Sequence, residues 1–338
     1  MSWNAVRVLL RGIPMLIATL AALALVTFTL SSLSPIDPAL QLIGDHASAS
    51  TYTQVRHELG LDASWPRQLG RYLAAVVHGD LGISRSTGQP VRDDLARVFP
   101  ATVELATLAL VVGGIGGIGL ALLSARYPHG LIDGTARVIS LAGNSIPIFW
   151  LGLIALFVFY ARLHWVGGTG RLSDAFEYTV DMRGGFVLFN AWRSPVPGAL
   201  GDAAAHLILP VLILASYALG NITRLTRAAL IGEAEKEYVM LARAKGAGRT
   251  RVLLRHIAPN VRGVTLTVIA LTYANLLEGA VLIETVFARP GIGRYLTTAL
   301  FGADMPAILG ATLLIGACFV IINGLTDLAV RLSDPRVQ

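Results

Sequence analysis

The residues able to do chemistry are few and scattered. Glu278 stands inside an apolar block, where a carboxylate is costly unless it faces a cavity or a partner. Glu104 falls near the end of another such block, and a solvated or capping role is expected of it. His206 lies at the boundary of a third block and reads as an interfacial residue rather than a ligand. His46, His57 and His78 lack ligand spacing, so no metal site is expected. Asp62 and Asp80 fit turns. Asn144 and Pro147 mark a bend, either in a pore-lining helix or as a structural kink satisfied by its neighbours. A phosphate-cradling loop needs Lys followed by Ser or Thr. Here Lys236 precedes Glu237 and Lys245 precedes Gly246, so the chain carries no such site. No Ser/His/Asp set or carboxylate pair stands out, and a single cysteine, Cys318, rules out an intrachain disulfide.

The elements that must position these residues are membrane helices. Hydrophobic residues make up 54% of 338 residues and charged ones 14%, well below the quarter usual in soluble domains. Six apolar segments are long enough to cross a bilayer core. They run near Gly12 to Leu33, Ala101 to Leu123, Val138 to Tyr160, Ala205 to Ile222, Val264 to Leu282 and Ile308 to Ala329. The first exceeds a signal-peptide core, and Ser31 to Pro35 makes a poor cleavage site, so an uncleaved span is expected. The arginines of the short connections and termini fall on one side of this arrangement: Arg7 and Arg11, Arg126 and Arg137, Arg331 and Arg336, and a dense group from Arg224 to Arg262. By the positive-inside rule that side, with both termini, is cytoplasmic. The long stretches Ser34 to Pro100 and Ala161 to Ala204 carry arginines too, but roughly balanced by acids, and count little. Gly113 and Gly117 form a small-xxx-small pair that lets helices approach, and Pro100 is expected in the first turn of its helix. No basic run with interleaved aromatics suggests nucleic acid.

The stretch EAEKEYVMLARAKGAGRTRVLLRHIAPN, from Glu233 to Asn260, is too charged to span. Tyr238, Leu241, Ala242 and Lys245 recur at helical spacing before Gly246 and Gly248 interrupt the chain. Val252, Leu253 and His256 belong to a second helical piece expected to stop near Pro259. A helix–glycine–helix elbow suits docking of another protein; an ordinary basic loop held by anionic lipid is the other reading of the same pattern.

This segment resembles the EAA loop of ABC importer permeases, with Ala242, Gly246 and Pro259 at that family's spacing and Met240 where its initial Glu usually falls. The run Tyr238-Val239 then Ala242-Arg243-Ala244-Lys245-Gly246 is similar to the dipeptide, oligopeptide and nickel permeases in particular. Further matches in the family's order are Gly79 to Ser84, Ser145 to Phe149, Arg224 to Arg227, Glu284 to Phe287 with Pro290 to Gly293, and Asp334 to Arg336. The chain looks most like the B-type subunit of a permease pair. It departs from the pattern in an insertion from Arg171 to Ala204, at Arg289, and at Arg262-Gly263.

The resemblance implies an all-α polytopic bundle of six transmembrane helices in the bacterial inner membrane. Residues 1–33 would form the cytoplasmic end and first helix, 34–100 an extracytoplasmic segment, and 101–338 a five-helix core with a coupling loop at 233–260. It implies a second homologous permease, two cytoplasmic ATPase subunits holding ATP and Mg, an extracytoplasmic binding protein, surrounding lipid, and no cofactor in this chain. Tyr238, Ala242, Ala244, Lys245, Gly246 and Pro259 would couple to the ATPase, with Asn144, Pro147 and Glu278 at the pathway or an interface. The carried solute would be a peptide, a nickel complex, glutathione or a related small molecule. A secondary transporter or an integral-membrane enzyme are the alternative classes. Absence of a repeat argues against the former, and absence of a catalytic set against the latter.

Overall fold

The computed structural model describes residues 3–33, 38–43, 48–58, 60–182 and 184–333. In chain order the helices are α1 (Trp3–Ser32), α2 (Pro38–Ile43), α3 (Ala49–Glu58), α4 (Trp65–Val77), α5 (Val91–Arg126), α6 (Leu131–Ser145) and α7 (Ile148–Ala155). A wide π turn (Leu156–Arg162) extends α7. Then come α8 (Asp174–Glu177), α9 (Val187–Arg193), α10 (Ala199–Ala234), α11 (Glu237–Ala244), α12 (Arg249–Val252), α13 (Ala258–Val286), α14 (Ile292–Phe301) and α15 (Met305–Ser333). No strand occurs among the described residues. Four helices among the described residues are long and apolar enough to cross a membrane: α5, α10, the run Arg249–Val286, and Met305–Val330 within α15. Leu131–Ser145 and Ile148–Arg162 together make a fifth candidate, bent by 97°, and Leu16–Ser32 of α1 is a shorter apolar helix.

The chain divides into two compact units, one of Met1–Leu9, Phe99–Arg294 and Ile321–Gln338, the other of Leu10–Val98 and Tyr295–Val320. In the first, α10 is the central helix. Gly113 and Gly117 of α5 lie against it so closely that an added Cβ would meet the Ala215 carbonyl oxygen at 2.6 Å and Ile222 at 3.1 Å. Gly143 of α6 abuts Ser216 of α10 in the same way, at 2.6 Å. Small residues at these crossings let backbones approach where no solvent drives association. On α13, Thr272 accepts a buried 2.9 Å hydrogen bond from the Asn221 amide of α10. Around these contacts Leu105, Leu207, Leu214, Ile222, Leu276, Ile283 and Phe287 form the apolar core.

Some expectations hold and others change. The bend expected at Asn144 and Pro147 is present: α6 ends at Ser145, and Pro147 caps the start of α7 beyond it. Proline disfavours α geometry in the residue before it, and Ile146 is accordingly extended at ψ 125°. Pro100 sits well inside α5, because the pattern around Val91 and Leu95 extends the same helix in the N-terminal direction. The elbow's second piece does not stop at Pro259. It runs through a π turn (Leu253–Ile257) into α13, and the wider turn just before the proline re-spaces carbonyls that it cannot serve.

His206 is buried within the chain, its Nδ1 2.8 Å from the Asp202 carbonyl oxygen and its ring against Gly167. Glu104 is buried too, and it caps rather than being solvated: its carboxylate accepts from the first amides of α9, Val187 at 3.0 Å and Leu188 at 2.9 Å. Through Leu172, Val180, Val187 and Ala191 the inserted segment contributes to this unit's core.

The second unit holds Leu10–Val98 and Tyr295–Val320. Gly310 of α15 packs on Val91, where a Cβ would come within 2.5 Å, with Leu81 and Leu95 beside it. Asp304 gathers the Gly79-to-Ser84 region, accepting from the Ser84 hydroxyl at 2.7 Å, the Ser86 hydroxyl at 2.6 Å and the Ser86 amide at 2.9 Å. Burial opposes ionisation of Asp304, but these donors outweigh it and hold its carboxyl below the usual range. Asp80 accepts from the Gly82 amide at 2.9 Å, a turn as expected, and Asp62 pairs with Arg56 at 2.8 Å. His46 and Asp334 to Arg336 lie outside the described residues.

Candidate functional site

The elbow is built from α11, a glycine turn and α12. Gly246 has φ +83° and open space around a would-be Cβ, so left-handed geometry rather than a close neighbour demands glycine there. Around it the Gly246 amide donates to the Arg243 carbonyl at 2.9 Å and the Ala247 amide to that of Ala242 at 3.2 Å. This pair of bonds is the Schellman termination, which satisfies helix-end carbonyls while reversing the chain.

The elbow's inner face is apolar. Val239, Val252, Leu253, Ile257 and Val261 share a small core with Ala121 of α5 and Leu230 of α10, and Ala242 packs against it. Tyr238 fastens the assembly from the side. Its hydroxyl donates to Glu233 at 2.7 Å and accepts from the Asn260 amide at 2.9 Å, joining the end of α10 to the start of α13. Pro259 stands in the first turn of α13 beside Asn260. Facing outward are Met240, Leu241, Ala244, Lys245 and Gly246, an apolar and basic surface that this chain leaves uncovered.

A second uncovered surface runs along α13. Leu271, Asn275, Glu278 and Leu282 recur at helical spacing and are all exposed, whereas Val268, Thr272, Leu276 and Ile283 on the adjoining face are buried. Glu278 makes no hydrogen bond among the described residues; Asn275 reaches the Tyr217 hydroxyl at 3.4 Å. The structure does not bring Asn144 to this face. Its amide donates to the Ser140 carbonyl at 2.9 Å within α6, against Gly220, and Pro147 is exposed at the bend.

On α13 the buried carboxylate is Glu284, two residues past Leu282 of the uncovered stripe. It accepts from the Thr102 hydroxyl at 2.6 Å and the Gly293 amide at 2.7 Å, holding the start of α14 against α5. A Cβ on Gly291 would fall 2.2 Å from this carboxylate, and one on Gly293 2.2 Å from the Val281 Cα. Those contacts explain both glycines in the Pro290-to-Gly293 run. In the sequence Glu284 stands out only within the Glu284-to-Phe287 run, and its spacing to the two glycines is the signal available there.

Arg289 is 1% exposed, and its Nη1 donates to the Gly170 carbonyl at 3.2 Å while Nη2 finds no acceptor among the described residues. Burial pushes its pKa down to about 10, opposed by the nearby Glu104 carboxylate, so it stays charged at neutral pH.

Comparison with known proteins settles the class. Residues 95–338 match the family model described as "Binding-protein-dependent transport system inner membrane component", and residues 5–106 match its N-terminal companion. The chain belongs to this family of ABC importer permeases.

Among its relatives is the "Probable D,D-dipeptide transport system permease protein DdpB" of Escherichia coli K12, 38% identical over 95% of this chain and 94% of that one. The dipeptide permease DppB of Haemophilus influenzae is 37% identical over 97% and 98%, and DppB of Escherichia coli K12 is 35% identical over 98% of each. A solved chain of the inward-facing MetNI methionine ABC transporter aligns with a TM-score of 0.49 and 17% identity, covering 69% of this chain and 94% of that one. The permease is thus a polytopic inner-membrane subunit without its own hydrolytic role, working with ATPase and substrate-binding partners that belong to such importers.

Proposed function

We propose that this permease carries dipeptides or closely related short peptides, pairing with a second, homologous permease to enclose one pathway. Identity of 35–38% to dipeptide permeases over nearly the whole length of both chains is the observation that carries the substrate class. Nickel complexes and glutathione have no comparable support.

In this reading the elbow at 233–260 faces the cytoplasm and seats on one of two ATPase subunits, which bind ATP and Mg. Residues 34–100 lie outside, both termini lie inside, and an extracytoplasmic protein delivers the peptide. Met240, Leu241, Ala244 and Lys245 supply the docking surface, while Tyr238, Ala242, Gly246 and Pro259 hold its shape. The uncovered α13 stripe with Asn275 and Glu278 faces the pathway or the partner permease, since a carboxylate within a span is tolerated only against water or protein. ATP-driven closure of the ATPases would favour one arrangement of the bundle, and the elbow would pass that bias on.

The test is uptake of labelled dipeptide by proteoliposomes holding both permeases, the ATPases and the binding protein. Saturable, ATP-dependent uptake with substrate-stimulated hydrolysis is expected. Uptake of dipeptide driven by an ion gradient without ATP would defeat the proposal.

A further inference from the structure

Asp133, 0% exposed in the first turn of α6, is a buried charge unused by the account so far. Its carboxylate accepts from Arg227 Nε of α10 at 2.6 Å, from Arg137 at 3.1 Å, from the His129 amide at 3.2 Å, and from the Ser124 hydroxyl of α5. Arg227 Nε also reaches Ser124 Oγ at 2.8 Å. One side chain therefore ties the ends of α5, α6 and α10 together. The link from α5 to α6 is itself wound tightly, with His129 in left-handed geometry at φ 63°. Within two turns of this knot lie Ala121 and Leu230, the residues of α5 and α10 that share the elbow's apolar core with Val239 and Val252. Arg126, two residues past Ser124, donates to Thr250 of the elbow at 2.9 Å. Knot and elbow thus contact the same ends of the same two helices.

We infer that Asp133 is a positioning residue for coupling. With Arg227 and Ser124 it locks the ends of α5, α6 and α10 into one corner that moves as a body with the elbow, so a push on the elbow displaces three helices rather than bending one. An ion pair buried among three elements resists partial opening, because separating it strands a charge without a partner. This inference rests on the coupling reading of the elbow given above.

The test uses the full reconstituted complex with Asp133→Asn, Arg227→Gln and the double variant, measuring peptide transported per ATP hydrolysed. Basal hydrolysis and complex yield are expected near wild type, while the transport-to-hydrolysis ratio falls about tenfold. The double variant should be no worse than either single one, because both remove the same link. A merely structural role predicts that transport and hydrolysis decline together with yield at an unchanged ratio, and that outcome overturns the inference.

Should Asp133→Asn fail to assemble, spin labels at Leu131 and Arg251, in a chain with Cys318→Ser and the corner intact, decide the matter. Their separation should stay the same between nucleotide-free and ATP-trapped complexes; a changed separation overturns the rigid corner. A wild-type complex whose hydrolysis ignores peptide-loaded binding protein would instead remove the coupling reading itself, a distinct result.

Discussion

The Thr102 hydroxyl donates a 2.6 Å hydrogen bond to the Glu284 carboxylate, and the same hydroxyl accepts from the Ile292 amide at 2.9 Å. One small side chain on α5 therefore orders both the end of α13 and the start of α14. Thr102→Val keeps the shape but strands a buried acceptor and a buried amide, costing about 1–3 kcal/mol for each unsatisfied group. A lowered melting temperature of the purified complex is expected, with Thr102→Ser close to wild type. Gly293→Ala should be worse than either, since its Cβ would fall 2.2 Å from the Val281 backbone. Equal stability of Thr102→Val and wild type would show that this bond matters little.

Gly246 supplies the second prediction. A non-glycine residue in left-handed geometry costs about 1–2 kcal/mol, most for β-branched side chains, and asparagine is the best tolerated. Gly246→Val should leave membrane levels near normal but cut transport sharply and uncouple hydrolysis from peptide-loaded binding protein. Gly246→Asn should be milder. A lipid-binding loop would behave otherwise, losing more from Arg249, Arg251 and Arg255 jointly changed to Gln than from the glycine. Full transport by Gly246→Val at wild-type expression would sink the coupling assignment.

Orientation gives a third. In a chain with Cys318→Ser, a cysteine at Arg251 should resist an impermeant thiol reagent in intact cells. One at Tyr178, 92% exposed in the inserted segment, should react when the binding protein is absent. The opposite labelling pattern would invert the topology.

The Asp304 knot predicts an acid-sensitive turn. Its folded pKa lies below the unfolded value of about 3.9, so its stabilisation is complete above that value. It is lost as pH falls through the folded value beneath. Hydrogen exchange at the Ser86 amide, corrected for the intrinsic rate, should stay protected at pH 6 and lose protection progressively below about pH 4. Asp304→Asn should weaken protection at pH 6 and flatten the profile. An unchanged profile in that variant would show that another group controls the turn.

Much of this molecule could be read from one-dimensional pattern, because local rules govern it. Long apolar blocks must be helices in lipid, as nothing else satisfies their backbone groups. Gly246 after a helical run ending at Lys245 signals its own left-handed turn, and Gly113 with Gly117 signals a close crossing. What the sequence could not decide were relations across the chain. Nothing near Glu104 says that it caps a helix 83 residues away, and nothing near Asp133 says that Arg227 will reach it. The same limit made Glu278 prominent and Glu284 inconspicuous. Both are carboxylates in the C-terminal part of an apolar helix, and only the fold leaves one exposed and buries the other against Thr102. The bend at Pro147 lies between these cases. Proline fixes where a helix can break, but its 97° angle belongs to the packing of α6 and α7 on α10 and α13, which no local rule contains.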